Sequence, residues 1–137
     1  MHRRSFCLLS SAAAVTPLLP RLALAQSWPA RPIRMIVPFP AGGGTDAISR
    51  QLAERITSAT GWSIAIENRA GAGGNIGLEA VAKAPPDGYT IGMGQAANLA
   101  INPSLYPRMP YDPLTDFALI SLVATQALVA VVSAKSA

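Results

Sequence analysis

Two glycine-rich stretches hold the residues best suited to chemistry in this 137-residue chain. The first is Pro38-Phe39-Pro40-Ala41-Gly42-Gly43-Gly44-Thr45-Asp46, and the second is Asn68-Arg69-Ala70-Gly71-Ala72-Gly73-Gly74-Asn75-Ile76-Gly77. A backbone without side chains lets N–H groups come close to a ligand, and a helix behind it adds partial positive charge at its N-terminus. The chemistry on offer is anion binding. Gly42, Gly43 and Thr45 supply N–H and hydroxyl donors in the first stretch, and Ala72, Gly73, Gly74 and Asn75 supply them in the second. A carboxylate beside such a site would repel the ligand, so Asp46 is expected to cap the helix and pin the loop. Gln95 and Asn98 carry amides that either bond a ligand or simply make a loop polar. Arg69 has two readings, a partner for a ligand carboxylate or a surface pair with Glu67 or Asp87.

These stretches need elements to position them. Ile33 to Val37 is short, β-branched and bounded by Pro32 and Pro38, as a buried parallel strand would be. From Ala47 to about Thr60, the apolar residues Ile48, Leu52 and Ile56 mark one helix face, with Ala53 and Ala59 beside it; Gly61 is placed to end it. Trp62 to Glu67 reads as a second strand, with Ile64 and Ile66 alternating against Ser63 and Ala65. The unit then repeats: Asn75 caps a helix over 76–84 with Ala80, Val81 and Ala84 inward, and Pro85-Pro86-Asp87-Gly88 forces a turn. Tyr89 to Gly94 is a third strand, a helical turn follows through 98–106, and 111–116 is another turn. Residues 117–124 and 128–133 read as two further strands. Alternating strand and helix predicts an α/β fold with a mostly parallel sheet, in which ligands collect at the carboxyl ends of the strands.

Composition narrows the function further. Residues 1–25 read as an export signal: Arg3 and Arg4, an apolar run from Phe6, and a small-x-small site at Ala23-Leu24-Ala25. Arg3-Arg4-Ser5-Phe6 loosely resembles a twin-arginine signal, and an ordinary secretory signal is the alternative. About 112 residues then remain, 26–137, enough for one small domain. Three arginines leave with the signal, so the net charge of +4 is mostly a targeting charge and no basic patch argues for nucleic acid. Cys7 and His2 leave as well, which excludes from 26–137 a disulfide, a Cys/His metal site and a Ser-His-Asp or Cys-His catalytic arrangement. No catalytic residue, metal or cofactor is expected.

Gly42-x-Gly44-x-x-Ala47 also satisfies the loose dinucleotide fingerprint, with Glu67 placed 20 residues on for a ribose. An exported nicotinamide-dependent oxidoreductase contacting its cofactor through Gly42, Gly44 and Glu67 is therefore the alternative. Pro38 and Pro40 stiffen the strand exit where that scheme wants a tight turn, and the scheme has no need of a second glycine stretch. Trp28 and Trp62 read as packing residues.

Longer motifs carry a family resemblance. Trp28-Pro29-x-Arg31-Pro32-Ile33-Arg34-x-Ile36-Val37-Pro38-Phe39-Pro40-Ala41-Gly42-Gly43 resembles the opening of mature Bug-family proteins, extracytoplasmic solute receptors of the tripartite tricarboxylate transporter system. The similarity continues through Thr45-Asp46, 67–77, Pro86-Asp87-Gly88-Tyr89-Thr90, Asn102-Pro103-Ser104-Leu105-Tyr106 and Tyr111-Asp112-Pro113-x-x-Asp116-Phe117. The resemblance implies a periplasmic binding protein of two α/β lobes joined by a hinge. Its ligand would be a small organic acid (a di- or tricarboxylate or an amino acid), and its partners membrane transporter subunits. Carried over by position, both glycine stretches would grip one carboxylate and Gln95, Ala96 and Asn98 would line the cleft wall, where this chain departs from forms with small hydroxyl residues. Family members are more than twice this long, so 26–137 is expected to be a truncated N-terminal lobe with the second lobe absent, and an inactive fragment is a further alternative.

Overall fold

The computed structural model describes residues 27–127 and 129–135. The expected export segment 1–25 lies outside the described residues. Strand β1 (Ile33–Val37) is the axis of the fold, with Ile33, Met35, Ile36 and Val37 all buried. It pairs in parallel with β2 (Ile64–Asn68) on one side and β3 (Thr90–Gly92) on the other, in the order β2-β1-β3. Ile33 sits opposite Ile64 and Val37 opposite Asn68; on the other edge Met35 faces Ile91. A parallel strand needs a crossover, and helix α1 (Gly44–Thr60) links β1 to β2 while α2 (Asn75–Ala82) links β2 to β3. The chain leaves β1 for one neighbour and returns on its other side, so the crevice at the carboxyl end of β1 is a topological switch point. The fold is α/β with a parallel sheet, as the alternation of strand and helix predicts.

The helices differ in detail from the pattern reading. Helix α1 starts three residues earlier than Ala47, because the glycine run itself enters helical conformation. Its most buried residues are Asp46, Ser49 and Ala53, whereas Ile48, Leu52 and Ile56 are half-buried and Ala59 is exposed. Gly61 closes the helix with its N–H on Thr57 O at 2.8 Å, as placed. In α2 the buried stripe is Asn75, Gly77 and Leu78, while Ala80 and Val81 are half-buried; the helix ends at Ala82, so Ala84, also half-buried, lies beyond it. After β3 come a π-helical turn (Ala97–Ile101) and the short α3 (Asn102–Leu105). At the opposite end of the sheet Trp28 meets Trp62 edge to face at 5.0 Å and lies 5.9 Å from Tyr89, which fastens the leading segment.

The two strands expected over 117–124 and 128–133 do not form among the described residues. Residues 117–127 and 129–133 have no regular structure, and Leu119, Ile120, Leu122, Val129, Val131 and Val132 are exposed. Apolar, β-branched composition makes a strand only where a sheet edge supplies its ladder, and neither segment pairs with β2 or β3. No helix among the described residues is long and apolar enough to cross a membrane.

Helix α2 reaches the exit of β1 through Gly77. A Cβ there would stand 2.7 Å from both Cα and Cβ of Pro38 and 2.8 Å from Arg69 O, all of them rigid neighbours. Gly77→Ala is therefore expected to destabilise the fold by about 1–3 kcal/mol through overpacking. A Cβ at Gly44 would meet nothing within 4 Å. Gly44→Ala should be stabilising by about 0.4–1 kcal/mol, because the unfolded chain loses freedom while the native helix loses nothing. Urea midpoints of the two variants, one falling and one rising, check both statements.

Candidate functional site

The first glycine loop is built around one buried carboxylate. Gly43 is the N-cap of α1 and no side chain caps that end, so the structure corrects the expected cap at Asp46. Asp46 is the third helical residue, 3 % exposed, and reaches back so that Oδ2 accepts the Gly42 N–H at 2.8 Å. Arg50, one turn on, donates Nε to the same oxygen at 2.9 Å, and Asn68 Nδ2 donates to Oδ1 at 2.9 Å. The Asn68 amide also donates to Phe39 O at 3.1 Å. One carboxylate thus joins loop, helix and the end of β2. The Arg50 hydrogen bond, then the Gly42 N–H and the Asn68 amide, hold the Asp46 carboxyl well below the usual carboxylate range, against the opposing effect of burial.

This arrangement sorts the expected donors. The Gly42 N–H, expected among the ligand donors, is taken by Asp46 Oδ2. The first intrahelical bond runs from Ala47 N to Gly43 O, so the N–H groups of Gly44, Thr45 and Asp46 precede it without helical acceptors. Ser49 turns its hydroxyl onto Thr45 O at 2.6 Å, and Gln95 donates Nε2 to Thr45 Oγ1. Thr45 and Gln95, 50 positions apart, are brought together as one edge of the site.

The second loop passes through a 3-10 turn, Ala72–Gly74, in which Ala72, Gly73 and Gly74 have φ of 47°, 64° and 93°. A non-glycine residue in the left-handed region stores backbone strain, a feature that concentrates at binding sites. Gly74 N–H is taken by Gly71 O at 2.9 Å, and Asn75 N–H by Ala72 O. Gly74, and not Asn75, is the N-cap of α2. Asn75 itself is buried: Oδ1 accepts Asn102 Nδ2 at 2.8 Å and lies 3.0 Å from the Tyr111 hydroxyl, while Nδ2 faces Met109 Sδ at 3.6 Å. Two expected donors, Gly74 and Asn75, are therefore spent internally, and the N–H groups of Ala72 and Gly73 have no partner among the described residues. Arg69 resolves to the surface pair, with Nε 2.5 Å from Glu67 Oε1.

Beyond β3 the expected wall residues divide. Ala96 is exposed and Gln95 half-buried, but Asn98 is completely buried and supports the wall from behind. Its Oδ1 accepts the Gln95 N–H at 2.8 Å, which fixes the amide's orientation, and its Nδ2 is buried with no partner among the described residues. Asn102, Tyr106 and Tyr111 were not anticipated as parts of the site. Asn102 Nδ2 donates to Gly73 O at 3.2 Å, the Tyr106 hydroxyl stands over Gly73, and Tyr111 donates to Asn98 O at 2.7 Å. The four-residue interval from Asn98 to Asn102 was the available signal, since it puts both amides on one helical face.

The result is a set of unspent N–H groups, a hydroxyl and an amide at the carboxyl edge of the sheet, suited to anionic oxygen atoms. Glu67 lies between Arg69 and Arg34, the latter at 3.5 Å. With Gly42 also engaged, two of the three contacts needed for the dinucleotide alternative already have partners. No cluster of three metal-ligating side chains occurs among the described residues.

The chain is similar to several known proteins. The family described as tripartite tricarboxylate transporter family receptor matches residues 48–137. Protein BugT of Bordetella pertussis is 46 % identical over 112 residues, covering 81 % of this chain and 34 % of BugT. The periplasmic binding protein BugD, a solved structure, is 47 % identical with a TM-score of 0.63 over 66 % of this chain and 30 % of that one. An R. palustris protein solved with adipate is 44 % identical, with a TM-score of 0.62 over 64 % of this chain and 29 % of that one. The chain spans about a third of the length of these relatives.

The Asp46 knot has a pH signature. Its folded-state pKa is depressed below the ordinary 3.8, so the stabilisation is complete above 3.8 and declines as pH falls from there through the folded value. Asp46→Asn is expected to be less stable than the parent at pH 7, with a gap that is constant down to about pH 5 and narrows in stronger acid. Thermal melts of both proteins across this range test it; a gap independent of pH down to strong acid would contradict the ionised knot.

Proposed function

The chain belongs to the tripartite tricarboxylate transporter receptor family, and from that premise we propose that it forms the N-terminal ligand-binding lobe, residues 26–137, of a periplasmic solute-binding protein for a small carboxylate. Residues 1–25 act as the export signal in this reading. The observation that carries it is the convergence of both glycine loops on the carboxyl edge of β1, each with N–H groups that no described residue accepts. Gly43, Gly44 and Thr45 hold a carboxylate oxygen at the start of α1, where the helix adds partial positive charge. Ala72 and Gly73 hold a second oxygen, and Gln95 and Ala96 form the adjoining wall. The relative solved with adipate supports a dicarboxylate as the ligand class. In a receptor of the relatives' length, a second lobe closes over this edge and membrane transporter subunits read the closure. The protein acts by holding its ligand, without cofactor and without catalysis.

Thermal melts of the purified chain against adipate, malate and citrate, with NADP as control, test the reading. A ligand that binds only the folded state contributes about 2.7 kcal/mol at 100 times its dissociation constant. A midpoint raised by a carboxylate supports the proposal; a midpoint raised by NADP alone overturns it. Gly44→Pro probes one donor. Proline is tolerated at the first helical position, and Gly43 before it already has φ −78° and ψ 170°, as a residue preceding proline requires. The variant should fold while losing one charge-assisted hydrogen bond, weakening carboxylate affinity about ten- to a hundredfold in calorimetric titration.

A further inference from the structure

Behind the two glycine loops runs a series of hydrogen bonds, continued through the covalent frames of Asn98 and Gln95, that joins them. It begins at Gly73 O, which accepts Asn102 Nδ2 at 3.2 Å; the same nitrogen donates to Asn75 Oδ1 at 2.8 Å. The Tyr111 hydroxyl lies 3.0 Å from Asn75 Oδ1 and 2.7 Å from Asn98 O, so one proton is shared between two acceptors. Asn98 Oδ1 then accepts the Gln95 N–H at 2.8 Å, and Gln95 Nε2 donates to Thr45 Oγ1 in the first loop. Asn75, Asn98, Asn102 and Tyr111 are 3 %, 0 %, 6 % and 5 % exposed.

We propose that Asn75, Asn98, Asn102 and Tyr111 form a positioning relay that couples the conformation of the second glycine loop to that of the first, so that the two donor sets are presented to a ligand together. The proposal rests on the carboxylate-binding reading for its functional meaning, although the coupling itself exists without ligand. Stability alone does not call for such an arrangement. Apolar side chains of similar shape would fill this space at little or no cost, whereas buried amides must be desolvated and then matched. What amides and a phenol add is direction: each hydrogen bond specifies a distance and an angle, more strictly in a low-dielectric interior than in water. Both ends terminate on loop atoms, a carbonyl within the strained 3-10 turn and the hydroxyl of the second residue of α1. None of the four interior members belongs to the first loop.

The test uses residue-resolved amide hydrogen exchange on the ligand-free full chain. Thr45→Val removes the hydroxyl at one end of the relay, and Tyr111→Phe removes its centre while keeping the ring against Phe117. Ile64→Val, on β2 away from the relay, serves as a control for general loss of stability. Thr45→Val is expected to speed exchange at Gly74 and Asn75 in the opposite loop several-fold more than the control, with Thr45→Ser restoring the parent rates. Tyr111→Phe is expected to do the same at Gly42. Acceleration confined to the substituted residue's own loop, or equal to that of Ile64→Val, overturns the relay. Adipate titration supplies a second readout: each single variant loses about two- to tenfold in affinity, and the double variant loses less than the product. Adipate binding with only local exchange effects would sink the relay and leave the binding reading standing. Coupled exchange in a protein that binds no carboxylate would sink the binding reading and leave the relay.

Discussion

The carboxyl edge of this sheet depends on the way one carboxylate is kept charged inside the fold. Asp46 has almost no contact with solvent, yet three donors from three parts of the chain converge on it: the Gly42 N–H, the Arg50 guanidinium and the Asn68 amide. Burying a charge is costly unless its hydrogen bonds are replaced, and here they are replaced by groups whose positions then become fixed. The first glycine loop gains a defined path, and α1 is tied to the end of β2. Because Asp46 directs its charge back onto Gly42, the first-turn N–H groups of α1 are left for other oxygen atoms. The residue that looked like an obstacle to anion binding instead orders the donors around it.

A second constraint is steric. Pro38 is fully buried at the exit of β1, and Gly77 lets α2 approach it at a distance that no side chain would permit. Gly74 is likewise pressed against Asn98 and Phe39. These close approaches bring the second loop to the switch point beside the first. The buried amides at 75, 98 and 102 then fill the space behind the loops with directional bonds, where a purely apolar filling would leave their orientation less defined.

The apolar segments after Asp116 show the limit of pattern reading. Residues 117–124 and 128–133 have the composition of strands, and the described parts of both lie exposed without a ladder. Composition reports which structure a segment would join, while a neighbouring edge decides whether it joins one. The same distinction explains the helix starts. Asp46 and Asn75 are residue types that favour N-caps, yet both are drawn inside their helices by long-range partners, and glycines take the cap positions.

Much of the architecture was legible from local pattern. Strand β1 between its prolines, Gly61 ending α1, the glycine loops at strand ends and the repeated strand–loop–helix unit all follow from period, backbone freedom and chain stiffness, which act over a few residues. Composition was equally legible: 26–137 holds no cysteine and no histidine, and its glycines expose backbone N–H groups at two strand ends. Which donors remain free was not legible. Gly42 is bound to Asp46, Gly74 and Asn75 are bound within their own turn, and Asn98 supports the wall from behind. Those assignments depend on partners 3 to 50 positions away, including the meeting of Thr45 with Gln95 and of Asn75 with Tyr111. A hydrogen-bond donor has the same chemistry whether it is engaged or free. Only the folded arrangement determines which acceptors come within reach, so the sequence by itself determined which donors are on offer and the tertiary structure decided which of them are already engaged.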